Sequence, residues 1–168
     1  MKDSVDLDAV QIRFSLNGEW QQLSVPTNQL LLGLLREGFG LTSVRASCDR
    51  GVCGVCTVLV DDEPVAACST FAFDVDGSRV ETVEGQTTPG SLSPVQRAFV
   101  ECGGMQCGFC TPGMVMLTTG LLRHTPDPGP ELARRWISSS ICRCTGYQMI
   151  LESVRRAGEL LRDGESRA

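Results

Sequence analysis

Histidine occurs once in this chain of 168 residues, which excludes any iron–sulfur centre that takes two imidazole ligands. Aromatic side chains are also few: six Phe, two Trp and one Tyr. Two small cores would have little bulk to draw on, so bound metal is expected to supply part of their organisation. Positive charge is in deficit, with a formal net charge of −5, and a nucleic-acid-binding face is not expected. Long apolar runs are missing. The run LLLGLL from Leu30 to Leu35 is far too short to span a bilayer, and MKDSVDLDAV carries no apolar signal-peptide core. These features predict a soluble, cytoplasmic protein without a membrane partner. There is no G-x-G-x-x-G between a strand and a helix, and no nucleophile–base arrangement, so neither a flavin site nor substrate turnover is expected in this chain.

Cysteine is abundant. Nine are present, at positions 48, 53, 56, 68, 102, 107, 110, 142 and 144. An odd number without a secretory signal argues against a disulfide framework and for metal or redox chemistry.

The residues between the cysteines divide the chain in two. Val10, Ile12, Phe14 and Leu16 alternate with polar residues as a half-buried strand, and Asn17-Gly18 signals a hairpin whose return strand runs from Glu19 to Val25. Gln21-Gln22 breaks that alternation and suggests a bulge. Thr27 is a candidate N-cap for a helix with one face formed by Leu30, Leu31, Leu34 and Leu35, ending near Gly38. TVLV at 57–60, the turn Asp61-Asp62 and PVAAC at 64–68 read as a second hairpin, and 79–83 as a last short strand. EGQTTPGSLS then has the composition of a linker. Beyond it strand signals cease. Helices are expected from Ser93, from Thr111-Pro112 through Leu122, from Glu131 to Ile137, and from Tyr147 to Leu161. The expected boundaries are a first domain over 8–84, a linker over 85–92 and a helical domain over 93–163.

Cys48, Cys53, Cys56 and Cys68 are spaced C-x4-C-x2-C-x11-C, the plant-type [2Fe–2S] pattern. Three thiolates in one loop wrap one side of a cluster and the distant fourth closes the other. Gly51 and Gly54 would let backbone N–H groups approach the anionic cluster without a Cβ in the way. Zinc also accepts four thiolates, but usually from two short knuckles, and three crowded ligands fit a cluster better.

Five cysteines then compete for four places. Cys102, Cys107 and Cys110 repeat the C-x4-C-x2-C spacing, whereas Cys142-Arg143-Cys144 offers a C-x-C pair. If that pair is extended, both thiols point to one side and can reach one iron, while Cys107 and Cys110 reach the other. Using Cys102 would leave one of the pair idle, and Gly103-Gly104 place it at a helix end. Spacing alone leans towards omitting Cys102. Cys110 precedes a helix, whose positive end would favour an added electron by about 0.3–1 kcal/mol.

The ordered motifs CDRGVCGVCTVLVDDEPVAAC, QCGFCTPGM and ICRCTGYQMI resemble the iron–sulfur small subunit of the molybdenum hydroxylase family, over about Val10 to Leu161. The resemblance implies an α+β chain: an N-terminal β-grasp plant-type ferredoxin domain followed by an all-α four-helix-bundle [2Fe–2S] domain. It assigns the second cluster to Cys107, Cys110, Cys142 and Cys144 and leaves Cys102 a spare thiol. It implies molybdopterin contacts from Gln106 and Cys144. It implies an electron-transfer role within an oxidoreductase. Single electrons would pass from molybdopterin, as its cytosine dinucleotide, in a large subunit, through the helical-domain cluster and then the ferredoxin-domain cluster, to FAD in a medium subunit. The assembly would be a hetero-oligomer, such as a dimer of heterotrimers. A stand-alone double-cluster ferredoxin is the competing reading, and a zinc-stabilised interaction module a third.

Bland roles are expected for the rest. His124 and Arg123 suit the carbonyl end of a helix, Arg134-Arg135 and Arg155-Arg156 a solvated face, and Met105, Met114, Met116 and Met149 packing. Tyr147 is expected to pack beside the cysteine loop.

Overall fold

The structure, a computed structural model, describes residues 8–87 and 90–165; most of MKDSVDLDAV and positions 88 and 89 of the expected linker lie outside the described residues. Strand β1 (Ala9–Leu16) turns through Asn17 and Gly18, both at positive φ (51° and 89°), into β2 (Glu19–Pro26). Asparagine and glycine tolerate that conformation, which matches the twist of the strands they join. The pairing Ala9↔Pro26 to Leu16↔Glu19 runs without interruption, so the expected bulge at Gln21-Gln22 is absent. β2 is an edge strand with only Val25 buried, and nothing there requires strict alternation.

The first helix starts later than expected. Pro26 to Gln29 close a turn (Gln29 N to Pro26 O, 3.0 Å), and Leu30 bridges to Phe71 as isolated β-structure. Leu30, not Thr27, therefore caps α1 (Leu31–Gly33), which widens into a π-helical turn over Leu34–Gly38. Leu31, Leu34 and Leu35 are buried against Ile12, Phe14 and Val58. After the first cysteine loop come β3 (Thr57–Val60), β4 (Glu63–Ala66) and β5 (Arg79–Glu81). The sheet order is β2-β1-β5-β3-β4, with β1 and β5 parallel and the other pairs antiparallel.

The second half is helical: α2 (Pro94–Glu101), α3 (Thr111–His124), α4 (Pro130–Ile137) and α5 (Gln148–Glu165). Ser93 caps α2 with a reciprocal box: Gln96 N donates to Ser93 Oγ at 3.2 Å, and Ser93 N to Gln96 Oε1 at 2.9 Å. Phe99, Met114, Leu121, Ile137, Ile150 and Val154 form its centre. The chain is thus an α+β protein with one core under a mixed sheet and another among helices.

α3 joins the two. Its residues from Gly113 to Leu122 are all buried, as expected of a helix covered on every side. A Cβ on Gly120 would lie 3.1 Å from Leu59 Cδ2, so the missing side chain lets α3 lie close against β3. At its carbonyl end, Arg123 Nη2 pairs with Glu81 Oε2 at 2.8 Å, and Nη1 with Asp62 in the β3–β4 turn. His124 Nε2 reaches Glu63 Oε1 at 3.1 Å. Arg155 pairs with Glu152 and Glu159, and Arg156 Nε with Glu101 Oε2 at 2.9 Å, linking α5 to α2. Among the described residues no helix is long and apolar enough to cross a membrane.

Glu84 ties the end of the sheet region to the entry of the cysteine loop. Thr82 Oγ1 donates to its Oε2 at 2.6 Å and Ser43 N to its Oε1 at 3.2 Å. Partial burial pushes its pKa up, but the Ser43 and Thr82 hydroxyls outweigh this and hold it below the usual glutamate value. A depressed folded-state pKa means stability that is present above the unfolded pKa and lost as pH falls through the folded one. Glu84→Gln is expected to cost up to about 1 kcal/mol at pH 7. The gap between the two proteins should close as the pH is lowered below about 4.3, as read by urea denaturation at each pH.

Candidate metal centres

The loop from Leu41 to Cys56 has little regular structure, and its path is set by backbone conformation. Asp49, Gly51 and Gly54 all have positive φ (51°, 71° and 72°). These reversals turn N–H groups inward. Gly51 N lies 3.2 Å from Cys68 Sγ, and Val52 N and Cys53 N each 3.4 Å from Cys48 Sγ. The N–H groups of Arg50, Cys53 and Val52 lower the Cys48 pKa to about 6. Cys56, on the inner side, is pushed up to about 12, chiefly by burial. Its thiol contacts that of Cys68, as the thiol of Cys48 contacts that of Cys53. The four sulfurs thus come as two pairs, Cys48 with Cys53 and Cys56 with Cys68.

The second set also forms two pairs, divided differently from the sequence-based expectation. Cys144 Sγ lies 3.6 Å from Cys107 Sγ, and the Cys110 thiol contacts that of Cys142. The C-x-C segment is bent rather than extended, which sends Cys142 inward and leaves Cys144 exposed. Each pair therefore takes one cysteine from either segment. Burial pushes Cys110 up to about 12. Burial also raises Cys142, but hydrogen bonds to Thr145 and Cys144 more than offset it, and its pKa is lowered. The Phe109 N–H lowers Cys107, while the contact with Cys107 raises Cys144.

Cys102 stands apart. It caps the end of α2, as its position before Gly103-Gly104 predicts. Its pKa is raised by burial and then by the charges of Glu152 and Glu101. Gln106 is exposed next to exposed Cys107.

Among the described residues, no three His, Cys, Asp or Glu side chains converge as ligands of a single ion. A [2Fe–2S] cluster requires a different arrangement, two thiolates on each of two irons, and paired sulfurs suit it. Other features fit as well. All nine cysteines are free thiols. Burial opposes the thiolate at Cys56 and Cys110, and a bound cation reverses that by deprotonating a coordinating thiol. Thr111 Oγ1 and Ser140 Oγ, close in sequence to Cys110 and Cys142, are buried with no hydrogen-bond partner among the described residues. Buried hydroxyls normally have partners, and cluster sulfur is an acceptor.

The two loops touch. Ile141 N donates to the Cys53 carbonyl at 2.9 Å, which places the residue beside Cys142 directly against one of the first set. A Cβ on Gly54 would lie 2.7 Å from Ser140 Cα, and one on Gly113 would lie 2.8 Å from Gly54 O. Gly54 is thus also needed for packing against the second loop, a reason its own segment does not reveal. Sequence reasoning missed Ile141 altogether, because its part is played by a backbone N–H. It placed Tyr147 correctly beside the loop but not its hydroxyl, which accepts from Cys142 N at 2.9 Å.

Two family descriptions match the chain: a "2Fe-2S iron-sulfur cluster binding domain" over residues 14–87 and a "[2Fe-2S] binding domain" over 82–155. The small FeS subunit of nicotinate dehydrogenase from Eubacterium barkeri is 43% identical over 153 residues, covering 91% of this chain and 98% of that protein. The solved structure of quinoline 2-oxidoreductase from Pseudomonas putida 86 matches with a TM-score of 0.87 at 36% identity, over 94% of this chain and 98% of that one. Aldehyde oxidoreductase from Desulfovibrio gigas matches with a TM-score of 0.88 at 39% identity; 92% of this chain aligns with 17% of that longer one. The paired-thiol sites and the two matches define a protein with two [2Fe–2S]-binding domains. Within that class, the chain belongs to the iron–sulfur small subunits of the molybdenum hydroxylases.

Gly54→Ala would combine a left-handed backbone, costing about 1–2 kcal/mol for a non-glycine residue, with a clash against Ser139 and Ser140. It is expected to lower stability by at least that amount in chemical denaturation, with the two cysteine loops losing amide-exchange protection together.

Proposed function

We infer that this chain is the electron-transfer subunit of a multi-subunit molybdenum hydroxylase and carries single electrons between a molybdopterin-bearing subunit and an FAD-bearing one. The observation that carries the reading is the direct backbone contact between two four-thiol sites, at Ile141 N and Cys53 O. Bound [2Fe–2S] clusters would supply reversible one-electron storage at each site.

The proposed ligands are Cys48, Cys53, Cys56 and Cys68 at the first site, and Cys107, Cys110, Cys142 and Cys144 at the second. The sulfur pairs and the N–H groups aimed at them support this set, and Cys102 has its nearest charged neighbours on α2 and α5. From Cys53 Sγ to Cys142 Sγ the connection is covalent except for one hydrogen bond. The chain thereby holds the sites in a constant relation.

In the proposed architecture a β-grasp domain over 8–84 and a linker over 85–92 lead to a four-helix bundle over 93–163. The parallel β1–β5 pair within the mixed sheet, and the four helices around Phe99, Met114 and Ile150, support it. We place the molybdopterin subunit against the second site. Cys107 and Cys144 are exposed there, with Gln106 beside them to contact the pterin. The exposed apolar residues Met105, Phe109, Ile141 and Met149 lie in the same or adjoining segments. A free carrier would leave these in water, and this favours a hetero-oligomer over a stand-alone ferredoxin. The exposed Val52 of the first loop suits the side towards the FAD subunit.

Anaerobic purification of the native complex tests this reading. Iron at about four per small subunit, together with molybdenum, flavin and two companion chains, is the expected composition. A colourless zinc protein, or a monomer that ignores its co-expressed neighbours, would contradict it. In the same assay Cys102→Ala should retain the full iron content, whereas Cys107→Ala should lose about half and keep the reduced-state signal of the first site. Equal loss in both variants would remove the ligand assignment.

A further inference from the structure

Tyr147 sits immediately before α5 with a φ of 68°, a conformation uncommon for an aromatic residue. Leu151 N donates to its carbonyl at 2.9 Å, which anchors it to the first turn of the helix. Its N–H donates to Thr145 Oγ1 at 3.1 Å, and the same oxygen lies 3.1 Å from Cys142 Sγ. The side chain thus folds back over its own loop. There its hydroxyl accepts from Cys142 N at 2.9 Å and donates to Ser140 O at 3.2 Å.

Those two bonds bracket Ile141, the residue whose N–H meets the Cys53 carbonyl. One phenol oxygen therefore holds the backbone on both sides of the contact between the loops. It also satisfies the amide of Cys142, a residue that is buried and pairs with Cys110. The segment lies outside any helix or strand; Ser140 N bonds back to Ile137 O at 3.2 Å and Ile141 N to Cys53 O, and the phenol supplies the partners of the Ser140 carbonyl and the Cys142 amide.

We propose that Tyr147 is a positioning residue: its hydroxyl clamps residues 140–142 and so sets both the seating of Cys142 at the second site and the approach of Ile141 to Cys53. The inference rests on the two-cluster reading above. Phenylalanine keeps the ring and removes the clamp. The Cys142 amide and the Ser140 carbonyl then lose this partner, which loosens the segment on both sides of Ile141.

The test uses the iron-loaded full chain or complex, comparing Tyr147→Phe with wild type. Leu151→Ala serves as a stability control, since it thins the packing under the same helical turn and leaves the hydroxyl in place. Potentiometric titration followed by electron paramagnetic resonance reads the two sites separately, and iron release to a chelator reads their seating. In Tyr147→Phe the second-site signal should change shape and midpoint, with a smaller change at the first site through the loosened contact of Ile141 with Cys53. Iron release from the second site should quicken by up to about tenfold, the factor one lost hydrogen bond of ordinary strength permits. Leu151→Ala should lower the melting temperature without these changes.

Unaltered signals and release rates in Tyr147→Phe would overturn the proposal. So would the same spectral change in Leu151→Ala, or a general loss of both signals, because the residue would then be a support for the fold alone. A wild-type protein without a second reduced-state signal would overturn the two-cluster reading as well, which distinguishes that failure from this one.

Discussion

One backbone contact governs the arrangement of this protein: the hydrogen bond from Ile141 N to Cys53 O, packed round by Gly54, Gly113 and Ser140. It joins two loops that come from different domains and lie far apart in the chain. Side chains would have held those loops apart, and their absence at Gly54 and Gly113 allows the backbones to meet. Most other features can be understood as keeping that contact in register. α3 lies buried between sheet and helices, and Arg123 fixes its far end to Glu81 and Asp62.

As proposed cluster sites, the two cysteine loops face the same electrostatic problem. A cluster held by four thiolates is an anion inside protein, and it needs donors and neighbouring cations to be tolerated. The first loop supplies backbone N–H groups, turned inward by residues at positive φ. The second also supplies N–H groups, from Phe109 at Cys107 and from Thr145 and Cys144 at Cys142, and adds hydroxyls: Thr145 at Cys142 Sγ, with Thr111 and Ser140 without partners among the described residues. Burial differs as well. Each site mixes inner sulfurs with outer ones, and at the second the outer pair, Cys107 and Cys144, is exposed.

Much of this was legible beforehand. Spacing alone grouped the first four cysteines, and the structure brings their sulfurs together as two pairs, because three of the four sit close together in one loop. The hairpin at Asn17-Gly18, the cap at Ser93 and the proline-led start of α3 were equally readable, since each depends on neighbours within a few residues. The late start of α1 was not, because it depends on Leu30 pairing with Phe71. Nor was the regular pairing of β2, which follows from its place at the edge of the sheet.

The amino-acid sequence by itself determined which residue types were available: nine cysteines, one histidine, glycines where the backbone must reverse, and a change from alternating to helical patterning near the linker. These are local properties, set by side-chain chemistry and short-range backbone preference. Only the tertiary structure decided how the thiols divide into pairs, that Cys107 meets Cys144 and Cys110 meets Cys142, and that Ile141 and Tyr147 matter at all. Those outcomes depend on a bend in one loop and on the approach of two distant backbones. Neither leaves a periodicity or a spacing in the chain from which it could be read.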